Sequence, residues 1–106
     1  MDPTIAFLRS QADGAIEIVV NFGPLAGREA TQAEVDRLAR RLLTAATHVQ
    51  AHAVRTHDMS TESETIVHQV VVEARAPASE AAGMRDLCEA WAAECAAERS
   101  LKPLEF

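Results

Sequence analysis

Four histidines, His48, His52, His57 and His68, crowd the middle of the chain and are its first candidates for chemistry. An imidazole with an unperturbed pKa of about 6.5 serves as acid, base or metal ligand near neutral pH. A zinc site needs three or four ligands converging at about 2.0–2.3 Å. In strands of period two, His48 and His52 share one face while His57 and His68 fall on the other, so no metal is expected. His57 and Asp58 have the types of a base and its orienting carboxylate, yet sequence neighbours on a strand point apart. His52 is left as the acid–base candidate, with Glu17 the carboxylate that would have to orient it across a nonadjacent strand. His68 shares the parity of apolar neighbours and is expected to be a neutral, hydrogen-bonded core residue.

A second candidate is the segment GPLAGREA between Gly23 and Ala30. It delivers Gly23, Gly27 and Arg28 to a helix start at Thr31, where free backbone donors and the helix dipole favour a carboxylate or phosphate. No Lys-Ser or Lys-Thr follows the second glycine, and the spacing is not G-x-G-x-x-G, so neither a Walker loop nor a dinucleotide fingerprint is present. The alternative is an ordinary turn. Cys88 and Cys95 stand seven residues apart in a helical stretch, about 10.5 Å along the axis, which is beyond the roughly 7 Å Cα limit for a disulfide. Both lie on the stripe Met84, Leu87, Cys88, Trp91, Cys95 and are expected in the core. No serine stands in a G-x-S-x-G context. No cofactor is implied.

The elements that must position these residues follow from the apolar periodicity. Ile16, Ile18, Val20 and Phe22 alternate as a strand over 15–22. Thr31 and Glu34 form a T-x-x-E capping box that opens a helix over 32–45. His48–Thr56 and Thr65–Arg75 read as an antiparallel hairpin joined by a polar connection. Pro77 precedes a long helix over 78–99. Residues 1–14 read either as a short helix, with Asp2 as cap, Pro3 at its first position and Gly14 at its end, or as an extended arm using Ile5 and Phe7. The tail, 101–106, reads as a short edge strand or a docking segment. A right-handed strand–helix–strand crossover makes the first two strands parallel, and the third returns between them. The expectation is a single α+β domain over 1–106, a ferredoxin-like βαββα sandwich with an antiparallel or mixed sheet, two helices on one face and a possible carboxy-terminal edge strand.

Composition narrows the function classes. Sixteen acidic residues face ten basic ones, a formal charge of −6, which argues against duplex nucleic acid, whose affinity comes from basic contacts to phosphate. No secretory signal pattern and no run of about 20 apolar residues is present, so a cytoplasmic protein without a membrane span is expected. Nine Arg against one Lys, with no Tyr, fits a GC-rich, bacterial source.

Strand parity assigns Ile16, Ile18, Val20, Phe22, Val49, Ala51, Ala53, Ile66, Val70, Val72 and Ala74 to the helix-covered face. The open face receives Glu17, Asn21, Gln50, His52, Thr56, Gln69 and Glu73 together with Val19, Val54, Val67 and Val71. Four valines among polar groups suggest an interaction surface. The leading expectation is a small, non-catalytic binding, regulatory or assembly protein that forms a homo-oligomer through this face. One alternative is a small enzyme with a ligand cavity between facing sheets of a dimer, using His52. The other is a subunit that binds a protein partner along a sheet edge or through its tail.

Overall fold

A computed structural model describes residues 5–12 and 14–101, with side chains through Glu98. The chain order is β1 (Ala6–Ala12), β2 (Ala15–Val20), α1 (Phe22–Ala26), α2 (Gln32–Leu42), β3 (His48–Met59), β4 (Glu64–Arg75) and α3 (Ala81–Leu101), the last entered through a 3-10 turn at Ala78–Glu80. The strands form one sheet in the order β1-β2-β4-β3, antiparallel at every contact. The α+β class and the return of β4 between β2 and β3 are as the periodicity predicts. A ferredoxin-like order is not established.

The amino-terminal segment departs from the helical expectation. Ala6–Ala12 is a strand paired antiparallel with β2, from Ala6 opposite Val20 to Ala12 opposite Ala15. Gly14 sits there at φ 83°, a conformation that favours glycine and suits tight hairpins. The extended alternative, not the helix, is therefore the one observed. The edge beside β2 is occupied from the amino-terminal side. Asp2 and Pro3, the expected helix cap, lie outside the described residues, as does the expected edge strand beyond Leu101.

β2 also stops earlier than its alternation suggests, at Val20, and Phe22–Ala26 folds into the short helix α1. Phe22 still reaches the core, with its ring centroid 5.3 Å from that of Trp91. The close approach of α1 to the sheet depends on Gly23. A Cβ there would lie 3.0 Å from the Cβ and carbonyl oxygen of His68 and 3.1 Å from its nitrogen. His68, expected in the core, is only half-buried, and its Nδ1 is buried without a hydrogen-bond partner among the described residues, contrary to the expectation of a satisfied imidazole.

α2 begins with the predicted capping box: Thr31 Oγ1 accepts from the Glu34 N–H, and the Glu34 carboxylate accepts from the Thr31 N–H. It ends at Leu42 rather than residue 45. Leu43 faces solvent and the Thr44 hydroxyl donates to the Arg41 carbonyl, which turns the chain out of the helix. One apolar cluster joins Leu38 and Leu42 of α2 and Met84, Cys88, Trp91 and Cys95 of α3 to Ile16, Ile18, Val20, Val70, Val72 and Ala74 of the sheet. Ile66 shares this parity but is 48% exposed, because the outer half of the β3–β4 hairpin runs past the helices.

Gly23→Ala should lower stability by about 1–3 kcal/mol, the range for strain in a packed site. Gly83, in the first turn of α3, meets nothing within 4 Å of an added Cβ, so Gly83→Ala should raise stability by up to about 1 kcal/mol. Denaturant midpoints of the two variants against the parent measure both, and equal shifts would refute the contact at Gly23.

Candidate functional site: the free edge of β3

The sequence-predicted candidates are placed as follows. His52 is exposed on the open face opposite Val71. Glu17 lies two strands away, with β4 between, and its carboxylate binds Arg9 at 2.7 Å. That hydrogen bond holds the Glu17 carboxyl below its usual range. The structure does not bring His52 and Glu17 together. His48 and His52 share the open face and His57 and His68 the other, and among the described residues no group of three metal-ligating side chains gathers.

The segment Gly23, Gly27, Arg28, Thr31 is used for packing. Arg28 Nη1 and Nη2 donate to the two carboxylate oxygens of Glu34 at 2.8 and 2.7 Å, and its guanidinium stands 5.3 Å from the Phe22 ring centroid. Gly27 terminates α1 in the left-handed conformation with its N–H on the Gly23 carbonyl. Thr31 is occupied by the capping box. Instead of facing an outside anion, the cationic and hydroxyl groups converge on Glu34.

On the open face, Phe7, Val19, Val71 and His52 form one cross-strand row. Val19 is 1% exposed and Val71 7% within the single chain. Phe7, at 36%, and the half-buried Val54 and Val67 carry what apolar surface this face presents. Gln69 donates to Asn21 across the next row. Toward the other end, Glu17 and Glu73 oppose each other beside a hollow of about 330 Å³.

The larger concavity, about 860 Å³, opens between α2 and β3. Val35, Asp36 and Ala39 form its helical wall, Glu29 and Gln32 its rim, and Val49–Ala53 its floor. Among the described residues the floor is an edge strand, and the ladder fixes which of its backbone groups have no partner there. The Ala76 N–H donates to Gly14 O, continuing the β2–β4 register, so alternate β4 residues Val70, Val72 and Ala74 bond toward β2. Gln69, Val71, Glu73 and Arg75 then bond toward β3, in agreement with the Thr47 N–H on Arg75 O. Their partners are Val54, His52, Gln50 and His48. Val49, Ala51, Ala53, Arg55 and His57 consequently direct their N–H and C=O groups away from the sheet. Val49, Ala51 and Ala53 do so with side chains toward the groove.

Sequence parity found these three as helix-side residues and missed the edge. A signal was present: twelve residues, 48–59, of strand character without proline, glycine or lysine, where strands usually run about 5–6.

The cysteines are buried and free, as expected. Burial pushes the Cys88 thiol up to about 12 and that of Cys95 to about 11, and the Arg37 guanidinium beside Cys95 at 3.3 Å pulls the other way. Neither is a ready nucleophile. No family model, curated protein or solved structure matches the chain.

The wall of the groove depends on Glu34, whose carboxyl the Arg28 guanidinium holds at about 2 against an ordinary 4.5. Because the folded value is depressed, the associated stability is present above about pH 4.5 and is lost as pH falls toward 2. The pair should contribute on the order of 2 kcal/mol at neutral pH. In Glu34→Gln, unfolding free energy should fall at pH 7 and show a shallower decline between pH 5 and 2; an unchanged slope would refute this role.

Proposed function

We propose that this protein is a non-catalytic assembly module that takes an extended polypeptide as partner by strand addition along the free edge of β3. The observation that carries the reading is the coincidence of free backbone groups at Val49, Ala51 and Ala53 with a groove walled by α2. An added strand would place main-chain donors and acceptors against the edge and alternate side chains against Val35 and Ala39. The two edges of the sheet differ in the way this reading requires. β1 spans seven residues and is interrupted by a register shift between Leu8 and Ser10. Bulges and short length are usual means of blunting an edge. β3 is twelve residues long and in unbroken register with β4.

The edge supports an interaction role better than the open face does, since Val19 and Val71 are covered within one chain. It also supports this role better than acid–base catalysis by His52, which lacks an orienting carboxylate. The same reading treats β2, α2, β3, β4 and α3 as a ferredoxin-like core whose fourth strand position is filled by β1.

Backbone amide exchange tests the proposal. With the edge occupied, the outward amides of Val49, Ala51, Ala53 and Arg55 should exchange as slowly as the inward amides of Gln50 and His52, either in the concentrated pure protein or after addition of host extract. Fast exchange at the outward set under both conditions refutes it.

A further inference from the structure

We infer that the strand added to β3 is β3 of a second copy, antiparallel and centred on Ala53; this rests on the strand-addition reading. Three features of the edge select that occupant and register. First, Ala53 lies at the middle of the twelve-residue strand. A two-fold axis there pairs residues 48–58 with their symmetry mates, whereas an axis at Ala51 leaves 55–59 without partners. Second, the register matches charge and size. His48 meets Asp58 of the partner subunit on the open face, and Ala51 meets the partner's Arg55 on the helix side. The partner's Arg55 then enters a groove whose wall and rim carry Asp36 and Glu29, and Glu29 already attracts Arg55 of its own chain at 3.8 Å. An axis at Arg55 would set two guanidinium groups against each other. Third, the helix-side residue on the axis, Ala53, is small, as is the Ala51 that faces the partner's Arg55, and the groove beside them has room for the incoming side chains.

The symmetry also satisfies the backbone. With Ala53 on the axis, Val49, Ala51, Ala53, Arg55 and His57 all fall at hydrogen-bonded positions of the new ladder, using the groups that point away from β4. The result is a continuous eight-stranded sheet with both helical layers on one side, an isologous contact that closes at two copies.

The intact protein and four variants test this by sedimentation and cross-linking. The parent should sediment as a dimer. Ala51→Pro removes an N–H that bonds only to the partner and is tolerated on an edge strand, so it should give a folded monomer. In the double variant H52C/V54C, residues 52 and 54 of the partner become close non-hydrogen-bonded neighbours, and mild oxidation should give a covalent dimer. The native thiols, buried and raised in pKa, stay silent. D58R should weaken the dimer about tenfold, and H48D on the same chain should restore it. A monomeric parent at every soluble concentration overturns the inference. A dimer that persists in Ala51→Pro and does not cross-link through H52C/V54C also overturns it. Strand addition itself is judged separately by the amide rates: protection that appears only with host extract keeps the edge reading and rejects the second copy.

Discussion

The position of α2, and with it the groove, depends on one partly buried ion pair. Arg28 clamps the Glu34 carboxylate with both terminal nitrogens while its guanidinium stands over Phe22. The Glu34 carbonyl accepts from the Trp91 indole at 2.9 Å, and its carboxylate also closes the Thr31 cap. Glu34 therefore joins the end of α1, the start of α2 and the middle of α3. Removing either charge would strand the other in a site with little water, which costs more than the pair itself contributes. Such a node tolerates no sliding of α2, so Val35 and Ala39 stand at a fixed height above β3.

That fixed height leaves an unfilled strip because the floor residues are small. α2 packs along β3 and against α3, with Leu38 and Leu42 in the shared core, and Ala51 and Ala53 are too short to fill the space beneath the helix. The helix lies over the last strand, β3, without filling the space above its small side chains. Half of β3 is left with apolar side chains beneath a groove and, among the described residues, with backbone groups that point away from the sheet.

Much of this layout was legible from residue types. The capping box at Thr31 and Glu34, the hairpin, the buried cysteines and the split of the histidines over two faces all follow from local rules of spacing. Local rules failed where a long-range contact decided the conformation. Asp13 and Gly14 carry a hairpin signal, but a helix-start pattern at Asp2 and Pro3 competes with it, and only pairing with β2 resolves the conflict. Phe22 continues the alternation of β2, yet the approach of Gly23 to His68 pulls it into α1. Arg28 reads as a free cation by spacing alone, since its bidentate partner lies six residues on and is itself part of a cap. The edge character of β3 was the least legible of all, because strand order is a property of the whole sheet.

Valines on the open face and an exposed strand edge are not competing explanations of this molecule. Side chains of a sheet point along its normal, whereas backbone donors and acceptors lie in its plane, so one strand can engage partners in both directions. In the two-fold arrangement inferred above, His52 and Val54 of one copy lie beside Val54 and His52 of the other. The row Phe7, Val19, Val71, His52 then meets the partner's Val54, whose own row runs through the partner's Gln69, and not its own symmetry mate. Pairing at the edge thereby sets the two rows side by side about the axis, offset by one ladder step, while the polar ends near Glu17 and Glu73 move to opposite sides of the assembly. The edge contact decides how large a surface the open face presents, and for that reason it comes first in any account of what this protein binds.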